Sequence, residues 1–478
     1  MTEPIIIQGG MGAGVSNWTL ANAVSRLGQL GVVSGTALDA VVARRLQDGD
    51  PGGHIKDALD HFPIPDIAQR IYNRFFVKDG RAPHEPYKLS PVHSVKPSRF
   101  LQELTVVANF VEVFLAKRGH HNPVGINYLE KIQMPNLASI YGAMLAGVDY
   151  ILMGAGIPRE IPGILDKFMH HEEASLKIDV KDDEEVGYFS MTFNPTEIMG
   201  KLKDSLKRPK FIPIISSAIL AITMAKRATG SVEGFIIEGP SAGGHNAPPR
   251  GAKDLDENGE PIWGEKDEVD LEKIKQFGLP FWLAGSFGTP EKVQEALALG
   301  ATGVQIGTPF AFCQESGLRD DIKHWVIRKL ASGEVSTFTD PKASPTGFPF
   351  KVVQIEGTLS DEGEYDARPR ICDAGYLRSP YKGEDGQIHY RCPSEPQEDY
   401  LRKGGHIEDT YGRKCLCNGL LANIGMSQLQ RTGYLEKPLI TAGKNLSVIL
   451  NFLHEGQLTY SAADVIETLC PQLVTARV

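Results

Sequence analysis

Short, nearly continuous apolar runs of strand length alternate with helical stretches along the first 310 residues. Eight of these runs read as strands: 4–8 (PIIIQ), 30–35 (LGVVSG), 123–128 (PVGINY), 148–153 (VDYILM), 210–216 (KFIPIIS), 233–238 (EGFIIE), 281–285 (FWLAG) and 303–307 (GVQIG). Helices are expected at 17–28 (capped by Ser16 or Asn17), 98–118, 136–146, 217–229 and 290–299. In the last of these, Thr289 is placed to cap, Pro290 opens the first turn, and Gly300 ends it. Val293, Ala296 and Leu297 recur there at helical spacing. Strands without polar alternation, separated by helices, imply a parallel sheet covered on both faces. Eight such units favour a closed (β/α)8 TIM barrel over an open sheet.

Two excursions interrupt the rhythm. Residues 36–122 far exceed a strand-to-helix connection, and the stretch HFPIPDIAQRIYNRFFVKDGRAPHEPYKLSPVHSVKP within them is rich in Pro, His and aromatics. Loops that long are functional covers or local insertions. Residues 170–190 carry the acidic run KIDVKDDEEVGYFS, read here as a solvated face. After a helix at 320–332 the alternation stops: segments rich in Gly, Pro and charge run to 412, with helical stretches at 415–425 and 442–453. The expected organisation is a barrel over 1–320, with an insertion at 36–122, and a mixed, largely helical C-terminal cap over 321–478.

Composition narrows the function. With 41% hydrophobic and 23% charged residues, the chain of 478 residues has the balance of a soluble globular protein. No apolar run reaches the roughly 18 residues that span a bilayer. The amino terminus lacks a basic stretch and enters a strand almost at once, unlike a secretory signal. Net charge is −9, without a basic cluster interleaved with aromatics, so neither nucleic acid nor a membrane is expected as a partner. Six cysteines without an export signal suggest a cytoplasmic, reducing setting.

Candidate chemistry lies where the strands end. Bare backbone after Gly285–Ser286 and Gly307–Thr308, at the ends of the last two strands, suits an anionic phosphate; in a barrel these loops are the usual phosphate grip. The first strand ends in Gly9-Gly10-Met11-Gly12-Ala13-Gly14, which reads either as a tight turn or as a close backbone approach to a ligand. No acidic residue follows at the distance a Rossmann fingerprint needs. Strand six runs through Glu238 into Gly243, Gly244 and His245, where amides could meet a phosphate and an imidazole could face reacting atoms. Asn127 closes an otherwise apolar strand and would either bond a cofactor ring or cap its turn. Gln305, inside the last strand, needs partners for a buried amide.

Taken in order, PIIIQGGMG, GIN, EGPSAGGH, LAGS and GVQIGTPF resemble the nitronate monooxygenase (2-nitropropane dioxygenase) family of FMN-binding TIM barrels. That family is related to FMN-dependent enoyl reductases of fatty acid and polyunsaturated fatty acid synthesis. The resemblance covers roughly residues 4–310. It implies that the Gly10–Met11 turn and Asn127 contact the flavin, and that Gly243, Gly244, Gly285, Ser286, Gly307 and Thr308 hold its phosphate. By the same resemblance Gln305 lies near the ribityl chain or phosphate, and His245 is the active-site histidine. Nitronate-oxidising members resemble QGxEAGGH at strand six, whereas this chain has Glu238 at the glutamine position, which looks more like the enoyl reductase branch. An ionised carboxylate cannot donate to a flavin carbonyl as an amide can.

The expected activity is therefore that of an FMN-dependent oxidoreductase, oxidising nitronates with O2. The alternatives are an NAD(P)H-dependent reductase of enoyl thioesters and a non-catalytic flavin-binding or partner subunit. The substrate would be a small molecule or an acyl thioester, and the protein could form a homo-oligomer. Cys372, Cys392, Cys415 and Cys417 have the spacing C-x19-C-x22-C-x-C. Four thiolates could close a zinc site with His389 or His406 as substitutes, but the pattern lacks paired CxxC motifs and suits buried free thiols better, with a redox or iron–sulfur role as a further alternative. Cys313 and Cys470 read as ordinary buried thiols.

Overall fold

The computed structural model describes residues 3–182, 188–251 and 254–471. Eight parallel strands form one sheet: β1 (Ile6–Gln8), β2 (Gly31–Ser34), β3 (Val124–Leu129), β4 (Tyr150–Gly154), β5 (Lys210–Ile215), β6 (Phe235–Glu238), β7 (Phe281–Ala284) and β8 (Gly303–Ile306). Each pairs with its sequence neighbour among these eight, and β8 pairs with β1 with Val304 opposite Ile6. The ring closes between β1 and β2: Gln8 N donates to Leu30 O at 2.9 Å and Leu30 N to Ile6 O at 3.1 Å. The sheet is thus the expected (β/α)8 barrel.

Two layers of apolar side chains explain its stability. Inside the ring pack Ile7, Leu30, Val32, Tyr150, Leu152, Ile212, Ile236, Trp282 and Ala284. Trp282 is fully buried and its indole N–H donates to Pro4 O at 2.8 Å, so the large ring enters the core without stranding a donor. Outside, a larger apolar shell joins the strands to the surrounding helices. Burying a side chain of this kind contributes roughly 1.5–3 kcal/mol.

The helices begin as the sequence indicates. Asn17 Oδ1 caps Trp18–Arg26 by accepting from Leu20 N at 2.9 Å, and Thr289 caps Pro290–Ala298. The excursion 36–122 is more regular than its composition suggests. Besides Arg99–Ala116 it forms helices Leu38–Gln47, His54–Asp60 and Pro65–Phe75. Ile67, Ala68, Ile71 and Phe75 bury one face of the last of these. Residues 170–190 also differ from a plain solvated run. Ala174–Asp179 and Tyr188–Phe193 form an antiparallel hairpin in which Ala174, Leu176 and Ile178 are buried and alternate with exposed neighbours. The acidic residues Asp183, Glu184 and Glu185 lie outside the described residues.

Beyond helix Asp320–Ala331 the chain makes two small antiparallel sheets, and the first pairs β9 (Ser336–Asp340) with β10 (Phe350–Gln354). Short helices follow, including Leu416–Asn423 and Ala462–Leu469; the stretch expected to be helical at 442–453 is a 3-10 segment, Leu446–Phe452. This region packs on the barrel mouth. No described helix is long and apolar enough to cross a membrane.

Candidate active site

The carboxyl ends of the barrel strands open into a cavity of about 240 Å³. All twelve residues singled out from the sequence line it: Gly10, Met11, Asn127, Glu238, Gly243, Gly244, His245, Gly285, Ser286, Gln305, Gly307 and Thr308. Their meeting follows from topology. Side-by-side parallel strands deliver their last residues to one rim, whatever their separation along the chain.

The floor is built from β1, β3 and β8. Ser16 Oγ accepts from Met11 N at 3.0 Å and from Gln8 Nε2 at 2.9 Å, and so fixes the turn after β1. Asn127 Nδ2 donates to Gly10 O at 3.4 Å. A Cβ on Gly10 would stand 2.4 Å from Asn127 Cβ, so only glycine lets the turn lie this close. Asn127 Oδ1 and Gln305 Oε1 are both buried without a hydrogen-bond donor among the described residues. Two orphaned carbonyl oxygens on one cavity mark a place for a ligand that carries N–H or O–H groups.

The wall at β6 is electrostatically unusual. Burial pushes the Glu238 carboxyl up to about 7, against the pull of the Lys351 ammonium and the Asn246 amide. Lys351, in β10, is only 1% exposed, and burial pulls its ammonium down to about 8. Its Nζ donates to Pro240 O and to Asn246 Oδ1, both at 2.6 Å. These surroundings leave Glu238 two states: to hold a proton, or to sit ionised near a buried cation. His245 packs edge-on against Phe350, with ring centroids 4.8 Å apart, and its Nε2 lies 2.7 Å from Ser344 Oγ. Burial pulls the imidazole down to about 4, so it is neutral in ordinary buffers.

The rim turns fall into two kinds. Gly244 sits at φ +76° and its N–H donates to Thr441 Oγ1 at 3.0 Å, so that amide is already engaged by the C-terminal region. Thr308 Oγ1 likewise accepts from Gly443 N at 2.8 Å, and Lys444 N donates to Ser241 O at 2.9 Å. At Gly285–Ser286 both residues are left-handed, with φ +101° and +59°. At Gly307 an added Cβ would meet only Met11, at 3.4 Å from its Sδ, and thus would point into the cavity. These last two turns leave room for an anionic group beside bare backbone.

The C-terminal region supplies residues that local patterns did not reveal: Lys351 and Ser344 behind the β6 wall, Thr441 and Gly443 over the rim, and Tyr376 and Leu420 on the far wall. A lysine inside the apolar run FKVVQ was the one available signal. The four clustered cysteines do not supply the zinc site considered from their spacing. Cys372, Cys392, Cys415 and Cys417 are all free and line one small cavity, yet among the described residues no three His, Cys, Asp or Glu are arranged to hold a metal ion. Burial pushes all four thiols up, which keeps them protonated. Cys313 and Cys470 are buried free thiols, as expected.

Residues 155–339 match the family model described as nitronate monooxygenase, which bears out the resemblance drawn from the motifs. A Rhodococcus jostii protein named (3aS,4S,5R,7aS)-5-hydroxy-7a-methyl-1-oxo-octahydro-1H-indene-4-carboxyl-CoA dehydrogenase is 29% identical over 204 residues, covering 42% of this chain and 50% of that protein. A probable nitronate monooxygenase from Staphylococcus saprophyticus is 28% identical over 224 residues, covering 46% of this chain and 60% of that one. The chain thus spans only half to three-fifths of the curated relatives it matches. Among solved structures, FabK from Thermotoga maritima superposes with a TM-score of 0.47 at 17% identity, over 100% of this chain and 94% of its own. A score below 0.5 adds no weight to the fold already read from the sheet.

Proposed function

We propose that this chain is an FMN-dependent oxidoreductase. The reading rests on one observation above the others: twelve residues chosen from separate motifs line a single cavity, in which two buried amide oxygens lack donors among the described residues. Those oxygens, on Asn127 and Gln305, suit a ring edge and a polyol chain that carry hydrogen on nitrogen and oxygen. The turns at Gly285–Ser286 and Gly307–Thr308 suit the phosphate. When bound, the flavin supplies the redox chemistry, accepting or delivering a hydride or single electrons. The residues of the chain hold it at the barrel mouth, exclude water and set the charge around the substrate. His245, neutral and on the cavity wall, is placed to bind a substrate oxygen.

Oxidation of a nitronate with O2 is the first reading of the substrate, supported by the matched family model and the Staphylococcus relative. Reduction of an acyl or enoyl thioester with NAD(P)H is the second. It is favoured by Glu238 in place of an amide and by the apolar far wall of Leu377, Leu416, Leu420 and Ile440, which suits a longer substrate than a small nitroalkane. The Rhodococcus relative is named for a carboxyl-CoA substrate, itself a thioester.

Anaerobic mixing with NADH, NADPH and propionate 3-nitronate, read by bleaching of the flavin bands, separates the two. Bleaching by the nitronate alone supports the first; bleaching by NAD(P)H, with reoxidation by an enoyl thioester, supports the second. A colourless protein that takes up no FMN would overturn both and leave a non-catalytic partner role. His245→Ala should retain flavin and lose turnover.

A further inference from the structure

Ser344 lies in the loop between β9 and β10, 99 residues from His245, and is fully buried. Its Oγ is 2.7 Å from His245 Nε2 and 2.8 Å from Thr346 Oγ1, and it accepts the Thr346 N–H at 3.2 Å. Thr346 Oγ1 in turn accepts the Phe348 N–H at 3.3 Å. The backbone holds this chain of hydroxyls against the histidine, because His245 forms an antiparallel bridge with Phe350 and Asn246 N donates to Pro349 O.

Proton counting favours one direction along the chain, the one in which every hydroxyl hydrogen finds an acceptor inside the protein. A hydroxyl offers one hydrogen and two lone pairs. Ser344 Oγ already accepts one backbone N–H. If Thr346 donates to Ser344, both serine lone pairs are filled and the serine hydrogen goes to His245 Nε2. Every hydroxyl hydrogen then has an acceptor. In the opposite order His245 donates to Ser344 and Ser344 to Thr346, and the half-buried Thr346 hydroxyl, with no acceptor among the described residues, is left to donate to solvent. The first order makes Nε2 an acceptor and puts the ring hydrogen on Nδ1. That nitrogen has no protein partner among the described residues, yet is not one of the buried unpaired atoms, so it stays accessible on a residue that lines the cavity.

We propose that Ser344, with Thr346 behind it, is a positioning residue that locks His245 as its Nδ1–H tautomer, and so makes it a hydrogen-bond donor to a negatively charged substrate oxygen rather than a base. Taken as to substrate, the proposal rests on the oxidoreductase reading above. A nitronate oxygen and the enolate oxygen of a thioester both present the acceptor this donor needs. The low affinity of the buried ring for a second proton keeps the donor neutral, so the site binds an oxyanion by hydrogen bonding rather than by a full positive charge.

The test uses the flavin-loaded full chain labelled with 15N at histidine, with the His245 signals assigned by their loss in H245Q. A neutral Nδ1–H tautomer from pH 5 to 8 is expected. S344A should shift that signal toward the Nε2–H form and lower kcat about 100-fold while KM changes little. S344T, which keeps the hydroxyl, should restore both. If S344A does not fold, T346V removes the donor behind Ser344 and is read by the same spectrum. An Nε2–H or mixed tautomer in the unaltered protein overturns the proposal, as does S344A with unchanged spectrum and kcat. Failure of the oxidoreductase reading looks different: no FMN is taken up or no donor bleaches it, while the tautomer, read by the same spectrum on the flavin-free chain, stands as stated.

Discussion

The backbone N–H of Gly244 donates to Thr441 Oγ1 at 3.0 Å across 197 residues of chain. One of the amides that the sequence offered to a phosphate is therefore bonded within the protein, and the C-terminal region is part of the rim. Thr441→Val removes the acceptor and strands a half-buried donor. It should cost about 1–3 kcal/mol of stability, read as a lowered urea midpoint. Flavin affinity should change less than threefold, because the proposed phosphate grip is at the other two turns. A large loss of flavin with unchanged stability would return Gly244 to the phosphate site.

Gly10 and Asn127 make a second sharp case. An alanine methyl at position 10 would be 2.4 Å from Asn127 Cβ, so the turn or the strand end must move. Gly10→Ala should cost roughly 1–3 kcal/mol and displace the Asn127 amide from the cavity edge. The neighbouring Gly9→Ala is the control, since its added Cβ meets nothing nearer than Ile306 O at 3.5 Å. The expected result is flavin lost from the first variant and kept by the second, measured by the absorbance of the purified proteins. Equal flavin content would remove Asn127 from the site.

These contrasts show what could be read in advance. The eight strands were legible because a parallel sheet covered on both faces leaves uninterrupted apolar runs. The strand-end glycines and His245 were legible because topology sends every strand end to one rim. The helices at 38–47, 54–60 and 65–75 were missed although Ile67, Ala68, Ile71 and Phe75 already carried the spacing; the prolines and histidines around them drew the reading toward a loop. Ser344, Lys351 and Thr441 had no comparable signal. Their roles come from contacts with positions 245, 240 and 244, about a hundred residues away or more, which no local period encodes.

Gly307 separates cofactor contact from folding. Its backbone is at φ −107°, which any residue adopts, and an added Cβ meets only Met11. Gly307→Val should therefore fold with a thermal midpoint within a few degrees of the unaltered protein, yet fill the space the proposed phosphate needs. Flavin titration should show at least a tenfold weaker Kd, about 1.4 kcal/mol. Binding of unchanged strength would move the phosphate elsewhere.

Glu238 and Lys351 predict a pH dependence of stability whose sign can be worked out. Burial raises the folded-state carboxyl from 4.5 to about 7, so between those values the unfolded chain has released a proton that the folded chain keeps. Stability contributed by this group is greatest below pH 4.5 and falls as pH rises through the window. Lys351, lowered from 10.5 to about 8, acts only above pH 8, where stability falls as pH drops from 10.5. Between pH 5 and 7 the carboxyl is thus the term that varies within this pair. Glu238→Gln should reduce the loss of urea midpoint from pH 5 to pH 7. Lys351→Met should do the reverse, since without the cation the carboxyl titrates higher still and the loss extends past pH 7. It also leaves Pro240 O and Asn246 Oδ1 without the donor they share, at a cost of about 1–3 kcal/mol each. Parallel midpoint-against-pH curves for all three proteins would mean that Glu238 is not held protonated by its surroundings, and that the charge beside the proposed flavin is set elsewhere.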